Sequence, residues 1–130
     1  MIYLDTSALV KLVLTEAESS ALRTWLDQRA SSAKVSSEIV HVELPRAVAR
    51  SNPIMLPSAM QITSGMQIVP ITPRVLALAA TMPPPALRSL DAIHLASALQ
   101  LTEHLTAFVA YDTRLAEAAE AAGLNVVAPR

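Results

Sequence analysis

The chain opens on a short apolar run, MIYL, interrupted at once by Asp5-Thr6-Ser7, residues that favour turns and helix caps. This pattern predicts a strand feeding a helix. The following ALVKLVL is apolar nearly all round, as a buried helix would be. Residues 16–29 set Ala17, Ala21, Leu22, Trp25 and Leu26 near helical spacing among polar positions, which predicts an exposed amphipathic helix. A weak second strand covers 33–36. Ser36 or Ser37 then caps a helix whose apolar positions include Ile39, Val40, Leu44, Ala47 and Val48. Pro45 lies inside that helix and lacks a backbone donor, so a kink or short break is expected there.

Residues 52–57 form a loop, with Pro57 suited to the first turn of another helix. A short strand is expected within 65–71, and a helix over 73–80 ends at Met82-Pro83-Pro84-Pro85. The strongest helical pattern covers 90–103, where Leu90, Ile93, Ala96 and Leu101 mark one apolar region beside Leu95 and Leu99. A strand over 107–111, the turn residue Asp112, a helix over 115–122, the terminator Gly123 and a strand over 125–128 complete the chain. Strands alternating with helices on this scale imply an α/β fold, a parallel sheet flanked by helices. The prolines form a stiff connector rather than a domain boundary, so 1–130 is expected to be one domain.

Composition narrows the picture. Hydrophobic residues make up 52% of the chain and aromatics only 3%, so the core must be built from Leu, Val, Ile, Met and Ala. With mean hydropathy +0.40 this is no disordered tail. The absence of cysteine excludes a disulfide framework and any thiolate zinc site. No apolar run approaches the roughly 20 residues of a membrane span, and MIYLDTSALV has no basic leader. A soluble, unexported, cytoplasmic protein is expected. Leu22, Trp25, Leu26, Leu56, Met60 and Ile62 exceed one narrow buried stripe, which with only 16% charged residues predicts an association surface and a homodimer.

The net charge of −1 excludes a basic nucleic-acid-binding surface as the dominant feature. The distribution of charge is more informative than its sum. No Asp or Glu lies between Leu44 and Leu90, although four arginines do: Arg46, Arg50, Arg74 and Arg88. Asp91 then stands alone in an apolar, basic stretch.

Ligands of open parallel sheets bind beyond the carboxyl ends of the strands. Asp5 and Asp112 each follow a strand directly, Asp91 begins a helix, and Glu43 lies a turn or two into its own. All four can meet at one sheet edge. Capping accounts for Asp5, Asp91 or Asp112 taken singly. It does not account for Glu43, which sits within an apolar helix face beside Pro45. Grouped carboxylates must be neutralised by cations, protons or arginines, and a divalent metal is the simplest answer that also does chemistry.

The string Asp5-Thr6-Ser7-Ala8-Leu9-Val10-Lys11 resembles the N-terminal motif of PIN domains. Glu43-Leu44-Pro45-Arg46-Ala47 is similar to the family's second motif, and Ser89-Leu90-Asp91-Ala92-Ile93-His94-Leu95-Ala96 to its third. Tyr111-Asp112-Thr113-Arg114-Leu115, with the alanine-rich helix and Gly123 after it, resembles the fourth. Four motifs in register span the chain, and the compact form is most like the toxin of a VapBC toxin–antitoxin module. Ala110 and Thr113 depart from the family pattern, which often has Thr or Ser and a basic residue there.

The resemblance implies a single PIN domain over 1–130, a three-layer α/β/α sandwich with a central mostly parallel sheet. It also implies a Mg2+- or Mn2+-dependent endoribonuclease whose acidic site is Asp5, Glu43, Asp91 and Asp112, with RNA as substrate and a VapB-type antitoxin as partner. Asp5 and Asp91 are assigned as direct metal ligands, and Glu43 and Asp112 as direct or water-mediated ones. Ser7 either positions a metal-bound water or phosphate, or caps the first helix. Arg46, Arg50, Arg88 and Arg114 are candidates for RNA phosphates, against the simpler reading as scattered surface arginines. His94 fits a histidine packed beside the site better than a general base, and His41 and His104 have no partner at ligand spacing.

Two phosphoryl-transfer folds also place Asp after the first strand. A haloacid-dehalogenase site wants a second Asp where this chain has Ser7, and a receiver domain wants a late lysine, whereas the only lysines are Lys11 and Lys34. A catalytically inactive PIN-like domain that binds RNA or protein is the non-enzymatic alternative.

Overall fold

The computed structural model describes all 130 residues. Its strands are β1 (Ile2–Leu4), β2 (Lys34–Ser37), β3 (Gln67–Val69), β4 (Ala107–Val109) and β5 (Val126–Val127). They form one sheet in the order β3-β2-β1-β4-β5, and every pairing is parallel. The helices are α1 (Thr6–Val13), α2 (Ser19–Asp27), α3 (Val40–Ser51), α4 (Leu56–Ser64), α5 (Pro73–Ala80), α6 (Ser89–Leu99) and α7 (Thr113–Ala121), with a 3-10 turn at Pro53–Met55.

The pleat of the strands divides the interior into two layers. Ile2, Leu4 and Val109 pack against Leu9, Leu22, Leu44 and Ala59 from α1 to α4. Tyr3 and Phe108, stacked with ring centroids 5.0 Å apart, face the opposite way, against Val75, Leu95 and Leu115 from α5 to α7. The result is the expected α/β/α sandwich. From β1 the chain winds through β2 to β3, then crosses to β4 on the other side of β1. The carboxyl ends of β1 and β4 therefore flank the topological switch point, where open α/β sheets form their crevice.

Several boundaries differ from the sequence pattern. Ser36 and Ser37 are strand residues rather than helix caps, because Ser36 pairs with Ile68 and Ser37 with Val69, and α3 begins only at Val40. No break occurs at Pro45, and α3 runs through it. His41, whose carbonyl loses its amide partner there, is an exposed residue. The helix α6 stops at Leu99 instead of 103, since the chain must turn back to enter β4 beside β1. It is also buried well beyond one stripe, including His94, Ala96, Ser97 and Ala98, while Leu90 is exposed. Leu22 and Leu26 belong to the core. The large apolar side chains that do reach the surface are Val42, Ile54 and Met60, and, on α5 and α6, Leu76, Leu78 and Leu90.

Gly123 ends α7 as the pattern predicts. Its φ is +89°, and the amides of Gly123 and Leu124 bond back to the carbonyls of Glu120 and Ala119, the pairing of a Schellman cap. A Cβ at Gly123 would meet nothing within 4 Å, so the cost of a side chain is conformational alone. Gly123→Ala is expected to lower stability by about 1–2 kcal/mol. Urea unfolding checks this, and a neutral effect would show that the cap is not held as described.

Candidate active site

Asp5 leaves β1 with extended backbone and caps α1, its Oδ1 accepting from the Ala8 amide at 2.8 Å. The Ser7 hydroxyl donates toward both carboxylate oxygens, at 2.7 and 2.8 Å, and accepts from the Tyr111 amide at 2.9 Å. Ser7 thus ties Asp5 to the loop after β4. Asp5 is only 3% exposed, and burial pushes its carboxyl up to about 6. The neighbouring Asp91 adds to the rise, while His94, Ser7 and the Ala8 amide oppose it.

Glu43 occupies the first turn of α3 and points toward α6. Its Oε1 accepts from His94 Nε2 at 2.7 Å and from the Thr6 hydroxyl at 2.8 Å. Burial alone would raise this carboxyl, but the hydrogen bond and charge of His94, with Thr6, outweigh it and hold Glu43 below the usual glutamate range. His94 is itself buried, and its Nδ1 lies 2.8 Å from the Tyr3 hydroxyl. The packed histidine expected beside the site is therefore in direct contact with one of the four acids.

Asp112 caps α7 through the Leu115 amide, 3.0 Å from Oδ1. Asp91 is no cap. The cap position of α6 belongs to Arg88, whose guanidinium bonds Asp91 at 3.0 Å and Asp112 at 3.4 Å. The two carboxylates, Asp91 first, raise the pKa of Arg88 further. That side chain is 64% exposed, so these are rim contacts rather than a buried lock.

One cleft of ≈ 510 Å³ is lined by all four acids together with Thr6, Ser7, Arg50, Arg88 and His94. Of the arginines proposed for RNA, Arg50 and Arg88 line it. Arg46 flanks Arg50 on a shallower surface, and Arg114 faces a separate groove with Pro84 and Leu87. Ala110 is buried in the core and Thr113 is exposed at the start of α7. His41 and His104 are exposed. Sequence reasoning did not single out Tyr3 and Thr6. Thr6 stands between two chosen residues, and Tyr3 looks like any apolar strand position until the fold brings it to His94.

The four acids share a cleft without forming a ready-made ligand group: no three His, Asp or Glu side chains are drawn together as a coordination shell. The chemistry of the donors still suits a hard cation. All four are carboxylates, and Mg2+ keeps several waters and uses few protein ligands. Arg88 supplies positive charge to two of them, and Asp5 carries the strain of a buried acid with no cationic partner bonded to it.

Comparison with known proteins bears on the family and the fold. The PIN domain family model matches residues 2–121. The chain is 49% identical to ribonuclease VapC35 of Mycobacterium tuberculosis, over 99% of this chain and 97% of that one. Its fold is similar to the crystal structure of Mycobacterium tuberculosis VapC20, a sarcin–ricin loop cleaving toxin (TM-score 0.76, 17% identity, 99% and 100% of the two chains). It is also similar to VapBC2 of Rickettsia felis bound to a promoter DNA fragment (TM-score 0.74, 16% identity, 100% of both chains).

Proposed function

The chain belongs to the PIN-domain family and is a VapC-type ribonuclease, and on that premise we propose that Asp5, Glu43, Asp91 and Asp112 hold Mg2+ or Mn2+ for RNA phosphodiester hydrolysis. The observation that carries this reading is the convergence of four carboxylates from distant segments on one cleft at the switch point. The bound cation supplies a nucleophile at neutral pH and relieves charge on the phosphate.

The protein's own groups do the rest. Asp5 and Asp91 contact the cation, with Glu43 and Asp112 doing so directly or through water. Ser7 holds the Asp5 carboxylate by both oxygens, which suits orientation of a ligand better than direct contact with substrate. Arg88 balances Asp91 and Asp112 and, being exposed at the rim, would be available to a phosphate oxygen entering the cleft. Arg50 gives the cleft a second cationic wall.

Residues 1–130 act as one PIN domain, the toxin half of a VapBC-type pair whose partner is a VapB-type antitoxin. The exposed apolar side chains Ile54, Met60 and Val42, and Leu76, Leu78 and Leu90, supply surface for the antitoxin and for a homodimer. No helix is long and apolar enough to cross a membrane. The proposed place of action is the cytoplasm.

The purified protein is expected to cut structured RNA in Mg2+ or Mn2+ and to stop in excess EDTA. A co-expressed antitoxin should co-purify and suppress the cutting. Cleavage indifferent to EDTA would remove the metal from the mechanism.

A further inference from the structure

The acids of the cleft are held in three different ways, Asp5 by the Ser7 hydroxyl and the Ala8 amide. Asp91 and Asp112 lean on an exposed arginine. Glu43 is gripped by the buried His94 and the half-buried Thr6, and through one oxygen only: His94 Nε2 and Thr6 Oγ1 both bond Oε1, leaving Oε2 without a protein partner. His94 is 1% exposed and Tyr3 0%, so neither can touch RNA. Glu43 is the one acid of the cleft that His94 hydrogen-bonds, so it is the direct route by which the pair can act on the site.

The proton positions follow from the partners. A carboxylate only accepts, so Nε2 must carry the imidazole proton that points at Glu43. Nδ1 lies 2.8 Å from the Tyr3 hydroxyl, and that hydrogen bond fixes the ring's orientation, the hydroxyl donating to a neutral imidazole or accepting from a charged one. Thr6 spends its one hydroxyl proton on the same Oε1, and its oxygen lies 3.0 Å from Nε2. The contact joins the two helical layers, because α6 packs on one face of the sheet and α3 on the other. Glu43 is half-buried and could satisfy itself by turning to solvent, so an internal grip is not required merely to pair its charge.

We propose that Tyr3, His94 and Thr6 are positioning residues that clamp Glu43 by Oε1 and thereby reserve Oε2 for the divalent cation or a water on it. This rests on the reading above, in which the four acids hold that cation. Hydrogen-bond partners of metal-holding carboxylates and histidines commonly matter about 10–100-fold in metal affinity.

Mn2+ binding to the antitoxin-free protein, followed by the loss of the free-ion paramagnetic resonance signal, tests both levels. Far-ultraviolet circular dichroism and melting in EDTA report on each variant's fold. Glu43→Gln should bind at least about 10-fold more weakly than the parent. His94→Leu should lose about 10–100-fold, Tyr3→Phe and Thr6→Val several-fold each. His94→Gln, whose amide N–H reaches toward the Nε2 position, should recover much of the loss. If Glu43→Gln binds Mn2+ like the parent, Glu43 does not hold the cation and the underlying reading is wrong at that residue. If Glu43→Gln is weakened while folded Tyr3→Phe and Thr6→Val bind like the parent, the clamp is purely structural and the proposal fails. These two isosteric variants decide the matter even if His94→Leu does not fold.

Discussion

Asp5→Asn and Asp91→Asn are each expected to lower Mg2+-supported RNA cleavage by at least about 100-fold, since even groups one step removed from a metal cost up to that much. The substitutions keep shape and remove only the charge. Asparagine caps helices as well as aspartate does, so Asp5→Asn retains an acceptor for the Ala8 amide. Asp91 caps nothing and bonds only the exposed Arg88. Both variants should therefore fold. The comparison is made on a fixed RNA with saturating Mg2+, alongside a circular dichroism spectrum. A folded variant that cuts at the parental rate would place the chemistry outside this cleft.

The second large effect is on stability, and its sign follows from the same acid. Asp5 has a folded-state pKa of about 6, against about 3.9 for an unfolded aspartate. Between those two values the folded state holds a proton that the unfolded state has released, so stability falls as pH rises. The loss begins near pH 4, is complete a little above pH 6, and amounts to about 3 kcal/mol at most. Asp5→Asn removes this penalty. In EDTA the variant and parent should be about equally stable near pH 4, and the variant should be more stable by about 1–3 kcal/mol at pH 7.5.

Adding Mg2+ or Mn2+ should then stabilise the parent, because a ligand that binds only the folded state shifts unfolding by mass action. Asp91→Asn should respond weakly. Urea titrations across pH, with and without metal, measure both effects. A parent–variant difference that does not change with pH would contradict the buried, unpaired state of Asp5. An equal metal response in parent and Asp91→Asn would contradict a shared site.

The order of elements was legible along the chain because local chemistry marks it. Apolar runs of strand length alternate with helical periodicity, and Asp5 and Asp112 each accept from an amide three residues on, as caps do. Gly123 stops α7 through a backbone angle that other residues adopt at a cost. The four acids were legible for a related reason. Two follow strands directly, Asp91 stands alone in a basic stretch, and Glu43 has no cap to explain it.

What the sequence could not decide is everything that depends on partners far along the chain. Ser36 and Ser37 favour a cap locally, yet pairing with β3 draws them into the sheet and delays α3. The pattern of α6 suggested one apolar face, whereas packing against α5, α7 and the sheet buries it more widely and exposes Leu90. Four arginines had equal claims on the substrate, but only Arg50 and Arg88 line the cleft, because α7 carries Arg114 to a different groove. The Tyr3–His94–Glu43 contact spans separations of 91 and 51 residues. No local propensity encodes such a contact. It exists because a parallel sheet brings β1 to the centre and sets α3 and α6 on opposite faces of it, meeting at the same carboxyl edge.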